Sequence, residues 1–322
     1  MLDRLPARGC WWPEKQTPAK GNSAMSKNKS KALLILHRKS CARPEVREAV
    51  RQIRESGIDL EVRIPWGRRD IRRQLKEAAT DKRMRIIAGG GDGTLNKVVN
   101  ALLKTRKPHA FTLGILPLGT ANDFARGANI PLDDLPVALK LACTAKGQKV
   151  DIGQVNGEYF VNVASGGFGA EVTASTPQDM KRKLGGSAYT LMGLVKAFDF
   201  QPYEGRLILP DGTVEEGQML IMAVGNNRFA GGGFDVAPKA DLTDGLLDVA
   251  VLVQQLGANL AKIAAELADP LKEDNEYLRY RQLAAFVIET DRPLHINLDG
   301  EPIIASRFEF KTRPRAITMA LG

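Results

Sequence analysis

Residues 85–96 of the chain read RIIAGGGDGTLN, and this stretch decides the fold. Ile86, Ile87 and Ala88 form a short apolar run, which is typical of a buried parallel strand. Four glycines within the next five residues let the backbone turn tightly and approach a ligand closely. From Leu95 onward apolar residues recur at helical spacing, so the stretch predicts a strand, a glycine loop and a helix.

The glycine loop is suited to binding phosphate. A loop that enters a helix offers free backbone N–H groups and the positive end of the helix dipole. Asp92 within the loop would repel a bare phosphate, so its presence indicates either a Mg²⁺ ion between the two or a carboxylate that handles a proton. The stretch is not the dinucleotide-binding fingerprint, and it lacks the lysine of a P-loop. A turn without a ligand would need fewer glycines and no acid.

Composition places the chain among ordinary soluble folds with an anionic partner. Its 322 residues allow two domains, and its net charge of +9 favours a nucleic acid, a nucleotide or an anionic membrane as partner. The three cysteines are far apart, so they predict no disulfide framework and suit a reducing cytosol. No apolar run reaches membrane-spanning length, so we expect any membrane contact to be peripheral.

The chain divides into an extension and two domains. Residues 1–24 are polar and basic and are expected to be a disordered extension. Residues 25–149 alternate strand and helix patterns, which predicts a Rossmann-like, three-layer α/β domain that binds a nucleotide. Residues 150–311 contain short strand patterns with hairpin turns, which predicts an antiparallel β-sandwich or barrel. Helical insertions are expected near residues 180–198 and 258–267.

A second motif, PLGTANDF at residues 117–124, follows the fourth predicted strand. Asn122 or Asp123 could cap the next helix, but capping explains one polar residue and not the whole run. With both motifs in order, the chain resembles the catalytic domain of bacterial diacylglycerol kinase-like lipid kinases, most closely the YegS type. The GGDGT loop also resembles sphingosine kinases, NAD kinases and phosphofructokinases, but NAD kinases do not carry the second motif. The resemblance starts at about Lys31 and runs to the end of the chain.

The resemblance implies a metal site in the second domain. Residues 238–248 read PKADLTDGLLD, which similar proteins use to hold a metal ion. By this resemblance the Asp244 carboxylate and the main-chain oxygens of Asp241 and Leu246 would bind Mg²⁺ or another divalent ion such as Ca²⁺, a hard cation that prefers oxygen ligands. Asp248 by itself is interpreted as a turn residue.

The resemblance also implies a catalytic base near the C-terminus. Residues 297–302 read NLDGEP, in which the Asp-Gly pair predicts a hairpin turn. Turn chemistry does not require Glu301, and in similar proteins this glutamate is the proposed proton acceptor. Asp92 remains the alternative base. We expect Asp92, Asp123, Asp244 and Glu301 to converge across the two domains.

The nucleotide site implied by the resemblance lies in the first domain. Its ATP-binding residues would be Gly91, Asp92, Gly93, Thr94, Leu95, Asn96, Lys97 and Thr120. Two positions depart from the family pattern. Residues 37–40 read HRKS in place of Asn-Pro-x-Ser, and Pro65 replaces a threonine that contacts the nucleotide. The last strand, residues 312–322, is expected to return to the first domain.

The resemblance implies a lipid kinase that transfers the γ-phosphate of ATP to a hydroxyl of a membrane lipid, either phosphatidylglycerol or a diacylglycerol-like lipid. An NAD kinase-like phosphotransferase that acts on a soluble nucleotide is the alternative, and a nucleotide-binding regulator without catalysis is a third possibility. We expect a cytoplasmic protein at the inner, anionic face of the membrane, with neither a nucleic acid nor an obligate protein partner. The basic pairs at residues 68–69 and 72–73 and the run from Lys181 to Lys183 are interpreted as solvated faces. Contact with anionic lipid headgroups is the alternative for Lys181 to Lys183.

Overall fold

The computed structural model describes residues 31–82, 84–167, 201–254 and 259–322. The first half contains β1 (Lys31–Leu36), α1 (Pro44–Glu55), β2 (Asp59–Arg63), α2 (Arg68–Thr80), β3 (Arg85–Gly90), α3 (Asp92–Leu103), β4 (Thr112–Pro117), α4 (Asp123–Gly127) and α5 (Leu135–Thr144). The second half contains β5 (Gly147–Val155), β6 (Glu158–Phe160), β7 (Val163–Gly167), β8 (Tyr203–Ile208), β9 (Val214–Gly225), β10 (Phe229–Ala230), β11 (Phe234–Asp235), β12 (Leu247–Val253), α6 (Leu260–Ala268), β13 (Leu278–Leu283), β14 (Ala285–Leu298) and β15 (Glu301–Ala320). The helix expected near residues 180–198 lies outside the described residues.

Local sequence signals set the helix bounds of the first domain. Helix α1 begins at Pro44, whose fixed φ suits the first helical position, and it buries an apolar stripe. The sequence pattern predicts a helix from Asp133 to Ala142. Helix α5 begins two residues later, at Leu135, because the side chain of Asp134 accepts a hydrogen bond from the N–H of Val137 at 3.0 Å and caps the helix. The short helix α4 precedes it and begins at Asp123, where the sequence predicts a helix that Asn122 or Asp123 could cap.

The first domain is built on a parallel sheet. Strand β1 pairs with β2 on one side and with β3 on the other, and β3 pairs with β4. The chain order therefore reverses between β1 and β3, and in open α/β sheets ligands bind outside the carboxyl ends of the strands at such a point. The glycine loop follows β3 directly. These elements confirm the predicted α/β domain with a parallel sheet.

Strand β15 links the two domains. It pairs antiparallel with β14 and β5 over most of its length. Near its end, Thr318 and Met319 pair in parallel with Thr112 and Leu113 of β4. The parallel and antiparallel parts are therefore one continuous sheet, which fixes how the turn before β15 faces the first domain.

Two apolar cores flank this junction. The first domain's core also takes in Ile152 of β5 and Ile317 of β15. The core of the second domain contains a stack of Phe286 on Phe310, with ring centroids 4.9 Å apart. No helix among the described residues is both long enough and apolar enough to cross a membrane.

Candidate active site

The loops after β3 and β4 pack directly on each other. A Cβ atom added to Gly119 would lie 2.5 Å from the Cα of Gly91, which is closer than real Cβ contacts. A Cβ added to Gly90 would lie 2.3 Å from the Oγ1 of Thr94. None of these three glycines has a positive φ. The loops therefore require glycine because two backbones approach closely, and not because the turn is left-handed.

Asp92 joins these two loops. Its Oδ1 accepts a hydrogen bond from the N–H of Phe124 at 3.0 Å, and its Oδ2 accepts one from the N–H of Asp123 at 3.3 Å. Asp92 thus caps α4 from another element, whereas Asn122, the expected cap, bonds instead to the backbone of Gly119. Burial raises the pKa of Asp92, and the nearby Asp123 adds to the rise against the lowering effect of the two N–H donors.

Asp123 connects the first domain to the second. It is buried, and its two carboxylate oxygens accept hydrogen bonds from the N–H groups of Gly232 at 3.0 Å and Gly233 at 2.7 Å. Beside it, the amide of Asn227 donates to the carbonyl of Phe124 at 3.1 Å. The sequence predicts Asp123 as a possible helix cap and as one of four converging carboxylates. In the structure it holds the glycine turn between β10 and β11 against α4.

Asp299 forms a third link between the domains, which the sequence did not single out. Its Oδ2 accepts from the N–H of Val161 at 2.6 Å and from the amide of Asn96 at 3.0 Å. Its Oδ1 accepts from the N–H groups of Asn162 and Val163 at 3.1 and 3.0 Å. Burial raises the pKa of Asp299 to about 6, against the lowering effect of its hydrogen bonds. We call Asp92, Asp123 and Asp299 the interface acids.

Asn96 is one of the expected nucleotide-binding residues, and the structure gives its side chain other partners. The residue is buried, and its amide also donates to the carbonyl of Tyr159 at 3.1 Å. Leu95 is buried in the core of the first domain. Only the main-chain atoms of Asn96 and Leu95 could therefore contact a nucleotide.

Glu301 lies at the meeting point of the two domains. Its Oε2 is 2.9 Å from the Nη2 of Arg68, and its Oε1 is 3.4 Å from the Nζ of Lys97. Arg68 begins α2, and Lys97 lies in the second turn of α3. The turn between β14 and β15 therefore places the expected base against the helix that follows the glycine loop.

The remaining expected nucleotide-binding residues surround the same edge of the sheet. Gly93 lies near the turn, since a Cβ on it would be 3.9 Å from the carbonyl oxygen of Asp299. Thr120 is exposed and lines a cavity of about 530 Å³ between the β4–α4 loop and the N-terminus of α5. Burial lowers the pKa of His37, and the charges of Lys39 and Lys97 lower it further. The loop after β1 therefore lies near α3.

The expected metal block is a compact loop. Asp241 accepts hydrogen bonds from the N–H and hydroxyl of Thr243 at 2.8 and 2.7 Å, and Asp244 accepts one from the N–H of Leu246 at 2.9 Å. Burial raises the pKa of Asp244, and the neighbouring carboxylates of Asp241 and Asp151 raise it further. A bound cation would relieve this crowding of negative charge.

Two further acids lie beneath this loop. The carboxylate of Asp151 accepts from the N–H groups of Gly245 and Arg315 at 2.7 and 2.6 Å. Asp248 is not a turn residue, as the sequence suggested, but a buried residue of β12. The hydroxyl of Tyr280 donates to its Oδ1, its Oδ2 has no partner among the described residues, and burial raises its pKa to about 6. We call Asp151, Asp241, Asp244 and Asp248 the sandwich acids.

These residues fit a hard divalent cation. The unpartnered Oδ2 of buried Asp248 and the crowded carboxylate of Asp244 both supply the oxygen chemistry that Mg²⁺ and Ca²⁺ prefer. Within the described ranges, no three acidic, histidine or cysteine side chains are arranged as a metal site. A cation here would therefore be held by Asp244 together with main-chain oxygens, as the resemblance implies for Asp241 and Leu246.

The four carboxylates that were expected to converge, those of Asp92, Asp123, Asp244 and Glu301, lie in two separate groups. The interface acids and Glu301 lie where the glycine loops meet the β14–β15 turn. Asp244 instead has Asp241 and Asp151 as its charged neighbours.

Comparisons with known proteins agree with this architecture. The model of the diacylglycerol kinase catalytic domain matches residues 31–155, and that of the YegS C-terminal NAD kinase beta sandwich-like domain matches residues 162–321. The chain therefore belongs to the YegS-like branch of the diacylglycerol kinase-related proteins, and the predicted fold class, an α/β domain followed by a β-sandwich, is confirmed. Lipid kinase is the class of protein that this family defines.

Individual proteins that are similar to this chain carry names of the same class. A "probable lipid kinase YegS-like" of Chromohalobacter salexigens is 42% identical over 287 residues, which cover 89% of this chain and 92% of the relative. A protein of the same name from Pseudomonas fluorescens is 43% identical, over 90% of this chain and 95% of the relative. A solved structure from Bacillus anthracis, assigned provisionally as a diacylglycerol kinase, is 25% identical with a TM-score of 0.75 and covers 94% of this chain and 99% of that one.

Proposed function

We propose that this protein is an ATP-dependent lipid kinase that transfers the γ-phosphate of ATP to a hydroxyl of a membrane lipid, phosphatidylglycerol or a diacylglycerol-like lipid. One observation carries the proposal. The carboxylate of Glu301, from the second domain, lies beside Lys97 of the helix that follows the glycine loop. This contact supports the proposal, because phosphoryl transfer to a hydroxyl requires a proton acceptor close to the helix terminus that would bind the phosphates.

The first domain would bind the nucleotide at the carboxyl edge of its sheet. The N–H groups at the start of α3 and the positive end of its dipole suit the phosphates. Lys97 and Arg68 add positive charge where negative charge develops on the transferred group. Thr120 lines the cavity next to this loop pair. The proposed ATP-binding set is Gly91, Asp92, Gly93, Thr94, Leu95, Asn96, Lys97 and Thr120.

Glu301 is proposed as the base. Its carboxylate would accept the proton of the lipid hydroxyl while the hydroxyl oxygen forms a bond to the γ-phosphorus. The bond between the γ-phosphorus and the β–γ bridging oxygen then breaks, and ADP leaves. Asp92 is the alternative base, but both of its oxygens already accept backbone N–H groups. We therefore assign to Asp92 the role of positioning the two phosphate-facing loops.

A divalent cation would be held by Asp244 and by the main-chain oxygens of Asp241 and Leu246. When bound, such an ion supplies positive charge that offsets carboxylates and phosphates. The chain's own contribution is the loop geometry, because Asp151 holds the backbone of Gly245 through a hydrogen bond of 2.7 Å.

The acceptor requires contact with a bilayer, so we propose a peripheral protein of the inner membrane face. The test uses the purified full chain with radiolabelled ATP and a panel of phosphatidylglycerol, diacylglycerol, a sphingoid base and NAD⁺. Label in a lipid is the expected result. Label in NADP⁺ would support the NAD kinase-like alternative, and binding of ATP without any transfer would support a regulator without catalysis.

A further inference from the structure

A tryptophan stands unusually exposed beside the candidate active site. Trp66 follows β2 and is 87% exposed, more than any other large apolar side chain that the structure describes. The backbone N–H of Trp66 donates to the Oδ2 of Asp70 at 3.0 Å, which ties the main chain at this residue to the first turn of α2. The guanidinium of Arg38 lies 6.0 Å from its ring centroid. A solvent-exposed apolar ring beside a cation is suited to a partner that offers both an apolar region and negative charge.

The helix that follows Trp66 is strongly basic. Helix α2 carries five basic and two acidic residues, a net charge of +3. It packs on the domain through a buried stripe that includes Ile71 and Leu75. Its exposed basic residues are Arg68, Arg69, Arg72, Arg73 and Lys76. The sequence interpretation treated the arginine pairs of this helix as a solvated face.

The acidic residues of α2 do not neutralise this face. Asp70 and Glu77 both contact Arg73, and Glu77 also contacts Arg63 of β2. This leaves Arg69, Arg72 and Lys76 on the exposed side of the helix, together with Arg68, which contacts Glu301. Most of the positive charge of the outer face is therefore free to act on a partner. A cluster of basic side chains on the protein surface, with an exposed tryptophan beside it, suits contact with the headgroups of an anionic membrane.

We infer that Trp66 and the basic face of α2 dock this protein on an anionic lipid bilayer. We call Trp66, Arg68, Arg69, Arg72 and Lys76 the docking surface. The Trp66 ring inserts at headgroup depth, where indoles are favoured, while the arginines contact lipid phosphates. The choice of a membrane as partner rests on the proposed lipid kinase function, but the surface is defined by charge and exposure alone.

The docking surface adjoins the candidate active site. Arg68 belongs to both, because its guanidinium is 2.9 Å from Glu301. A bilayer held against α2 would therefore present its headgroups next to the proposed base. Docking here would deliver a lipid hydroxyl without removing the lipid far from the membrane.

The experiment measures vesicle binding by the full chain without ATP, so that its outcome does not depend on transfer. Sedimentation uses vesicles of phosphatidylcholine alone or mixed with phosphatidylglycerol. The variant Arg69→Glu/Arg72→Glu leaves Arg68 and Glu301 untouched, and Lys104→Glu/Lys107→Glu is the matched control. Both control lysines are exposed and lie past the far end of α3.

We expect wild type to bind only the anionic vesicles. Each basic residue near an anionic surface contributes about fivefold, so the Arg69/Arg72 variant should bind roughly thirtyfold more weakly or worse. The control variant should bind within about twofold of wild type, because its lysines lie away from the proposed contact. Equal loss in the two variants, or in neither, would overturn the inference.

Fluorescence reports directly on Trp66. The other two tryptophans are changed to phenylalanine, at positions 11 and 12, so that emission comes from Trp66 alone. A blue shift on adding anionic vesicles supports insertion, and no shift overturns it. Trp66→Ala provides the second test, since reduced ATP affinity with unchanged vesicle binding would identify the ring as a platform for the nucleotide base. If the protein binds anionic vesicles through the docking surface but transfers no phosphate to any lipid of the panel, the proposed function is wrong and the docking inference is still supported.

Discussion

The two groups of acids differ in what their carboxylate oxygens contact. The interface acids accept hydrogen bonds from donors on other elements, so each of them fastens one loop to another. Among the sandwich acids, Asp241 and Asp244 bond only within their own loop, and one oxygen of Asp248 has no partner among the described residues. The same side-chain chemistry therefore fastens separate loops together in the first group, whereas Asp244 and Asp248 of the second group keep oxygen atoms that suit the cation proposed above.

The largest expected effect comes from removing the proposed base beside the interface acids. Glu301→Gln should lower kcat by about 10²- to 10⁴-fold, because the amide cannot accept the proton. The fold should survive, since the Glu301 ion pairs are partly exposed and contribute little stability. Initial rates with the identified lipid check the activity, and thermal unfolding checks the fold.

Glu289→Gln is the matched control for this change. Glu289 also pairs with two cations, Arg206 and Arg307, but it lies along β14 away from the glycine loop. We expect it to retain activity. If both variants are fully active, Glu301 is not the base.

The next effect tests whether the interface acids hold the domains together. Asp123→Ala leaves the N–H groups of Gly232 and Gly233 without their acceptors and should lower the free energy of unfolding by about 3 kcal/mol. Denaturant unfolding measures the loss. Asp211→Ala, which removes an exposed turn acid that accepts one N–H group, should cost about 1 kcal/mol or less. Similar losses in the two variants would contradict the linking role.

Cation binding tests the role proposed for the sandwich acids. Adding Mg²⁺ or Ca²⁺ at about a hundred times its Kd should stabilise wild type by about 2.7 kcal/mol, and chelation should reverse this. Asp244→Asn should abolish the stabilisation because the carboxylate ligand is lost. Asp274→Asn, a change at an exposed acid elsewhere in the domain, should keep it. Thermal shift in the two variants gives the answer without any activity assay.

The smallest effect concerns pH. The pKa of Asp248 is raised to about 6 in the folded state by burial, and it is about 3.9 when unfolded. Between these values the folded protein binds more protons, so the free energy of unfolding falls as pH rises through this window. Without added cations, Asp248→Asn should remove roughly 1 to 3 kcal/mol of this fall while keeping an acceptor for Tyr280. An unchanged pH profile of stability would show that Asp248 is already compensated.

Short-range patterns were sufficient for most elements of the first domain. Apolar runs located β1 to β4, and helical spacing located α1, α2 and α3, because each buries one face in a single core. The first residue of α5 and the residue that caps α4 are not predicted by these patterns. Both depend on capping, and the cap of α4 comes from Asp92, thirty-one residues earlier in the chain.

The sequence by itself determined which residues are candidates for the chemistry, since the glycine loop, the proposed metal block and Glu301 are each local motifs. The tertiary structure decided how these residues combine. Asp299 appeared only as half of a hairpin turn, and its four donors come from distant parts of the chain. The sequence does not single out Trp66, because the exposure of its side chain depends on the folded structure. Hydrogen bonds between domains and the exposure of a side chain depend on long-range packing, so local periodicity predicts neither of them.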